Sequence, residues 1–298
     1  MHSNQAQRQG GIAMRLRAFC WLILLLLVLP AYADPILGSA GGFAVLGGSG
    51  AVTNTGPTTI TGDLGVSPGS SITNTAGITI NGVSYPGNTT VPNNPGAATA
   101  QTDATNAYNG LAAMAVTQNL TGDNLGGLTL TPGVYEFTSS AQLTGTLTLN
   151  AEGSDNALWV FLIGSTLTTA SDSSVDVINP GSNPDDGIFW DVGTSATLGT
   201  TTAFEGNILA FGSGPTNSSI TLDTGATIDC GSALAATSVT LDNNTISTGC
   251  NGGGTITGGV VTPYPATAST PEPGSIVLFA SGLFALAGMG RRKLLQRL

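Results

Sequence analysis

The sequence predicts a mostly-β chain wound as a β-solenoid, with one long α-helix packed alongside and an export segment at each end. Three observations carry that prediction. A short apolar–Thr–apolar element recurs along the body, one tract is Ala-rich, and charge is almost absent between the ends. Charged residues make up 8% of the 298 and hydrophobic residues 41%, where average globular chains are about 25% charged. This leaves apolar material for a sizeable core and too little net charge for disorder.

The repeat comes first. Leu-Thr-Leu or a variant stands at Leu128–Leu130, Leu147–Leu149, Ala196–Leu198, Ile220–Leu222 and Val239–Leu241, and Ser165-Thr166-Leu167 is a weaker copy. The leucines at 130, 149, 167, 198, 222 and 241 are 19, 18, 31, 24 and 19 residues apart. Spacings near twenty with insertions are those of a solenoid with one coil per repeat. Alternation places Leu, Ile and Val inward and Thr outward on a strand, and Gly, Asn, Asp and Pro between copies supply turns. Phe137, Trp159, Val160, Phe161, Phe189, Trp190 and Phe204 are expected to fill the interior.

The tract from Gly96 to Gln118 breaks the pattern. It is Ala-rich and lacks an internal proline, and Ala is the best helix former. Ala100, Ala104, Ala107, Leu111 and Met114 fall at helical spacing and make one apolar stripe. A single helix over about 96–118 is predicted, lying on the solenoid flank.

The two ends read as addresses. Met14-Arg15-Leu16-Arg17, the apolar run Phe19–Pro30 and the small-x-small site Ala31-Tyr32-Ala33 make residues 1–33 a signal peptide, cleaved before Asp34 by signal peptidase. Residues 34–250 form the body and 251–270 a Gly/Pro/Thr linker. Residues 271–298 begin Pro271-Glu272-Pro273, continue through the apolar run Ile276–Met289 and end in Arg291-Arg292-Lys293. An apolar run followed by basic residues predicts a membrane helix with a cytoplasmic tail. Cys20 belongs to the leader, which leaves Cys230 and Cys250 as an even pair in an exported chain. A disulfide between them is expected, worth roughly 3 kcal/mol by loop closure.

Charge distribution excludes several functions. All seven Lys and Arg lie at the ends, none between Ala18 and Gly290, and the one histidine is His2. A body with carboxylates and no cations is no partner for nucleic acid or anionic lipid. A Ser-His-Asp triad is impossible without histidine, so the body is not expected to be an enzyme. A glycosidase-like carboxylate pair would have to come from Asp185, Asp186, Asp191, Glu136 or Glu205, yet Asn183-Pro184-Asp185-Asp186-Gly187 reads first as a turn. Calcium at Asp172, Asp185 and Asp186 lacks any calcium-loop spacing. No metal site and no cofactor are expected.

The body, from about Ile36 to Gly249, resembles the microbial ice-binding-protein family. The matching stretches include Leu37-Gly38-Ser39-Ala40, Phe43-Ala44-Val45-Leu46, Val52-Thr53-Asn54-Thr55-Gly56-Pro57 and Ile60 to Gly69. Leu128 to Tyr135, Gly164 to Thr169, Phe204 to Ala210 and Val239 to Thr245 continue the match. The resemblance implies a right-handed discontinuous β-solenoid of triangular section, with N- and C-terminal segments interleaved in coil order. It also implies a flat coil face carrying Thr-Ala/Gly-x-Thr/Asn steps. Thr224-Gly225-Ala226-Thr227 fits that step, Thr194-Ser195-Ala196-Thr197 differs by a Ser, and Thr169-Ala170-Ser171-Asp172 and Asp242-Asn243-Asn244-Thr245 each bring in a carboxylate. The face implied is therefore Thr169, Ser171, Thr194, Thr197, Thr224, Thr227, Asn243 and Thr245. The tail Pro271–Leu298 resembles the PEP-CTERM sorting signal, with Pro271, Glu272, Pro273, Arg291 and Arg292 at its marker positions. It implies a Gram-negative host, an exosortase-type processing protease, transient membrane anchoring, and a mature protein at the cell surface or outside the cell.

Two functions remain open at this point. One is ice binding through a flat Thr-rich face, with an ice crystal surface as partner. The other is a non-enzymatic envelope or matrix adhesin that binds extracellular polysaccharide. A face free of carboxylates over several coils would mark the first, and a groove with exposed Trp or Tyr the second.

Overall fold

The computed structural model describes residues 34–86, 96–182, 185–257 and 260–263. Three parallel sheets of nine, eight and seven strands carry the body. Each coil contributes one strand to each sheet, as Gly187–Val192, Ala196–Leu198 and Ala203–Glu205 do in turn. The result is a solenoid of triangular section. From Gln118 the coils follow chain order up to Thr245–Ser247. The N-terminal coils then stack on that last one, with Val45 opposite Ala233, Val52 opposite Val239 and Ile60 opposite Ile246. The two halves are thus stacked end to end, with no alternation of coils, and the coil of residues 233–247 is their junction.

Coil length explains the uneven repeat. Residues aligned across coils, such as Leu143, Thr169, Leu198, Leu222 and Leu241, are 26, 29, 24 and 19 apart. The element Leu128–Leu130 and the element Leu147–Leu149 lie in a different sheet from those at 196, 220 and 239. The 18-residue interval therefore marks a change of sheet, and the 31-residue interval runs from Leu167 to a residue two places beyond its partner Ala196 in the same sheet.

Sheet position decides where the apolar residues go. Strands Leu158–Ile163 and Gly187–Val192 belong to the nine-stranded sheet and are buried along nearly their whole length, as their unbroken hydrophobic sequences require of a sheet covered on both faces. Phe137, Trp159, Phe161, Trp190 and Phe204 fill the solenoid interior, where Phe161 stacks on Trp190 with centroids 3.9 Å apart. Val160 and Phe189, expected inside, point the other way and pack beneath the helix. Successive side chains of a strand alternate faces, so an apolar neighbour of Trp159 or Trp190 has to leave the interior.

Helix α1 spans Gly96–Ala112. Its stripe of Ala97, Ala100, Ala104, Ala107 and Leu111 is fully buried against that sheet, because alanine lets the backbone approach closely. The helix ends six residues short of the predicted Gln118. The chain is captured by the sheet instead: Thr117 N–H donates to Val134 O at 2.8 Å, and Gln118–Asn119 pairs with Tyr135–Glu136.

The corner between the seven- and eight-stranded sheets is lined inside by stacked polar side chains. Thr169 and Thr202 hydroxyls lie 2.8 Å apart, Thr58 donates to Asn54 Oδ1 at 2.7 Å, and Asn244 donates to Asp223 O and Ala226 O. Outside that ladder the chain turns through left-handed residues in successive coils: Gly145, Asp172, Thr201, Gly225 and Asn243. Cys230 and Cys250 form the expected disulfide. A small antiparallel sheet joins Asp34–Pro35, Gly254–Thr257 and Val260–Pro263. Residues 1–33 and 271–298, with the predicted leader and sorting signal, lie outside the described residues, as do residues 258–259 and 264–270 of the linker. Among the described residues no helix is long and apolar enough to cross a membrane.

Asp191 is a liability within this core. It is 3% exposed, its Oδ1 has no partner, and burial raises its pKa well above the usual carboxylate range. Its cross-strand neighbours are Leu162 and Leu209. Because the folded state holds this proton more tightly than the unfolded chain, stability is full at acid pH and falls as pH rises through the folded-state pKa. Asp191→Leu is expected to raise stability by about 1–3 kcal/mol at pH 8 and to have little effect near pH 4. Urea melts of both proteins across that range check it.

Candidate functional site

The seven-stranded sheet presents the most regular surface. Its strands are Ala141–Leu143, Leu167–Thr169, Ala196–Leu198, Ile220–Leu222, Val239–Leu241, Ala51–Asn54 and Ser71–Asn74. Ala141, Leu167, Ala196, Ile220, Val239 and Val52 point inward and are buried. The next residue of each strand points outward, and parallel register aligns these as one rank: Gln142, Thr168, Thr197, Thr221, Thr240, Thr53 and Thr73. The residue before each inward position makes a second rank: Ser140, Thr166, Ser195, Ser219, Ser238, Ala51 and Ser71. Thr166 donates to Ser140 at 2.9 Å, and the Ser219 and Ser238 hydroxyls are 3.0 Å apart.

Neither rank holds an ionisable group. Neighbouring strands of a sheet are about 4.8 Å apart and alternate residues of a strand about 6.7 Å apart. The two ranks therefore form a regular lattice, mostly of hydroxyls and methyls, fixed from below by a close-packed core.

The eight-stranded sheet is different. One outward rank reads Thr146, Ser174, Ala203, Thr227, Thr245, Thr59 and Thr79. The other reads Thr148, Asp176, Glu205, Asp229, Ser247, Thr61 and Asn81. Three carboxylates thus stand on consecutive rungs. Burial, then Asp229 and Asp176, pushes the Glu205 pKa up to about 7. Carboxylates bind water tightly and break the uniformity of this surface. The nine-stranded sheet is covered by α1 and presents no comparable face.

The structure redistributes the residues implied by the family steps. Thr224-Gly225-Ala226-Thr227 is the corner turn itself: Gly225 takes φ 76° and Ala226 points inside. Of the eight residues, Thr197 lies on the hydroxyl face, and Thr227 and Thr245 lie on the acid-bearing face. Ser171, Thr224 and Asn243 occupy corner turns, and the Thr194 hydroxyl is buried next to the opposite corner. Thr169 points inward and is 3% exposed, because it is the residue after the outward Thr168. They do not form one face, since three of the four steps contain a left-handed residue, Asp172, Gly225 or Asn243, at which the chain turns through a corner.

The same placement removes the carboxylates that interrupted two steps. Thr201 donates to Asp172 at 2.5 Å and Thr224 to Asp242, so both acids are tied into the corner. The residues missed were Thr53, Thr73, Thr168, Thr221 and Thr240. A signal for them exists: Thr166-Leu167-Thr168, Ser195-Ala196-Thr197, Ser219-Ile220-Thr221, Ser238-Val239-Thr240 and Ser71-Ile72-Thr73 share one Ser/Thr–apolar–Thr pattern.

The remaining acids are dispersed over several places. Asp185, Asp186 and Glu205 line a cavity of about 290 Å³ beside the disulfide, Asp191 lies beneath the helix, and Glu136 accepts from Asn119 at 2.6 Å. Burial raises the Asp186 pKa, opposed by the Ala157 N–H that it accepts. Among the described residues no group of three or more His, Cys, Asp or Glu is placed to hold a metal ion. Trp159, Trp190 and Tyr85 are fully buried, Tyr135 is 3% exposed, and Tyr108 packs on Phe211. None of these rings walls an open groove of the kind a glycan reader uses.

Comparison with known proteins gives a consistent picture. Residues 45–247 match the model of the ice-binding-like family, and residues 269–293 match the PEP-CTERM protein-sorting motif. An ice-binding protein of Nostoc sp. (strain HG1) is 49% identical over 260 residues, covering 87% of each chain. The crystal structure of an ice-binding protein from an Antarctic biological consortium is 42% identical with a TM-score of 0.61, covering 74% of this chain and 93% of that one. That of an ice-binding protein from the Antarctic ascomycete Antarctomyces psychrotrophicus is 35% identical, also with a TM-score of 0.61, and covers 72% and 98%.

Proposed function

We propose, from the premise that this chain belongs to the ice-binding-like family, that the hydroxyl face of the seven-stranded sheet is the surface with which the protein binds ice. The observation that carries this is the pair of in-register ranks, Thr168-Thr197-Thr221-Thr240-Thr53-Thr73 and its Ser/Thr neighbour, with no ionisable side chain in either. Threonine methyls keep disordered water off the plane, and hydroxyls at fixed spacing anchor an ordered layer that merges with the crystal. Each contact is weak. The plane adds many of them, and its rigidity keeps the entropy lost on adsorption small. No bond is made or broken, and we read the protein as non-catalytic, in keeping with a body that lacks Lys, Arg and His.

The adhesin alternative finds no support. The relatives named above are ice-binding proteins, and the aromatic rings named above wall no glycan groove. The sorting motif indicates an exported, surface-sorted protein of a Gram-negative bacterium. In our reading signal peptidase cleaves before Asp34, and an exosortase-type protease processes the tail after a transient stay in the membrane. The mature body then works at the cell surface or outside the cell.

Thr221→Tyr puts a ring in the middle of the hydroxyl face. It is expected to abolish most thermal hysteresis and inhibition of ice recrystallisation with the circular dichroism unchanged, whereas Thr146→Tyr on the other exposed sheet keeps both. Full activity in Thr221→Tyr moves ice binding off this face. The acid ladder supplies a test of opposite sign. Asp176→Thr, Glu205→Thr and Asp229→Thr together make the second face free of acid, and the expected result is a larger thermal hysteresis at equal concentration.

A further inference from the structure

We propose that the Cys230–Cys250 disulfide is a mechanical stop, which keeps a pull on the C-terminal tether from stripping out the coil that joins the two halves of the solenoid. The inference rests on the reading of the protein as an ice binder attached at the cell surface by the processed end of its C-terminal tail. Ice would then load the hydroxyl face while the cell holds the chain beyond Pro263.

The path of that load is set by topology. Val260–Pro263 is the last described strand, and Pro263 pairs with Gly254, where the chain enters the preceding antiparallel strand. Force on the tether therefore acts across the open end of a hairpin, which opens one pair at a time, and then on the pairs Ile256–Asp34 and Thr255–Pro35, which also part in sequence. Upstream, Asn251 to Gly253 are held to the body by single hydrogen bonds, among them Gly253 N–H to Asp185 O at 2.8 Å and Asn251 Nδ2 to Gly41 O at 3.2 Å. These too part in sequence.

Peeling next reaches Cys250. Without a cross-link it would continue into Thr245–Ser247, Val239–Leu241 and Ala233–Ala235. These three strands make up the junction coil. Among the described residues they alone pair the N-terminal coils to the rest within the three parallel sheets, through Ile246–Ile60, Val239–Val52 and Ala233–Val45. Their loss also removes the Thr240 rung and splits the hydroxyl face. The disulfide, closing a sequence separation of 20 residues, transfers the load to the end of Thr227–Asp229, so that two coils share it. Asn207 reinforces the stop by donating to Gly249 O at 3.3 Å and Cys250 O at 2.8 Å.

Single-molecule stretching tests this without ice, so its outcome is independent of which face binds the crystal. One handle is attached at position 146, the other at the chain's C-terminal end, and oxidised protein is compared with Cys230→Ala/Cys250→Ala, whose fold is first confirmed by circular dichroism. In the oxidised protein a low-force event releasing residues 251–263, roughly 45 Å of chain, should precede a distinct high-force event. In the variant peeling should run on through the junction coil at low force, adding about 65–70 Å to the first event. With the second handle moved to Asp34, the first event should be the same in both proteins. Equal first events under the C-terminal pull, or an equal weakening under both pulls, overturn the proposal. The second of these outcomes makes the disulfide a general staple.

Discussion

The parallel register between coils is the constraint on which the rest of the structure depends. Side chains of a strand alternate with a period of two, so a slip of one residue would exchange the interior for the surface. Large interior side chains forbid that slip. With Trp159, Phe161, Trp190 and Phe204 filling the core, each coil has one register over its neighbour, and the outward threonines fall into line as a consequence. The polar ladder within the corner, from Thr169 and Thr202 to Asn244, Thr58 and Asn54, holds the sheets at a fixed angle to each other. A regular surface is then a by-product of core packing and needs few contacts of its own.

The three sheets answer different demands with the same strand chemistry. One is buried on both sides along its central strands, and the sequences there are mostly apolar. The other two face solvent, and their outward residues are small and hydroxylated. Acids are excluded from the outward ranks of the seven-stranded sheet and admitted to the corners and the eight-stranded sheet. That segregation distinguishes a functional plane from the general tendency of threonine to occupy strands. It is visible only after the residues have been sorted by sheet.

The discontinuity has an energetic cost in robustness. Coils distant in sequence meet at the junction coil, so the N-terminal half is held by strand pairing and by α1 rather than by chain continuity. The disulfide lies at the edge of this coil, where its loop encloses the three junction strands.

The amino-acid sequence specified the solenoid through its repeat and the disulfide through the one pair of cysteines left in the body. It specified the helix stripe Ala100-Ala104-Ala107-Leu111 and the apolar–Thr alternation because these depend on neighbours within one turn or strand. The matched family added the triangular, discontinuous winding. Tertiary structure alone decided which threonines share a plane. Thr168 and Thr169 are adjacent in the chain, yet one faces solvent and the other the core, and Thr224 and Thr227 are separated by a corner. Coplanarity is a relation among residues about 20–30 apart in sequence, fixed by inter-coil register and by coil lengths that vary from 19 to 29. No local pattern measures those lengths. The stacking of the N-terminal coils on the C-terminal one was likewise settled by which edge strands remained to pair.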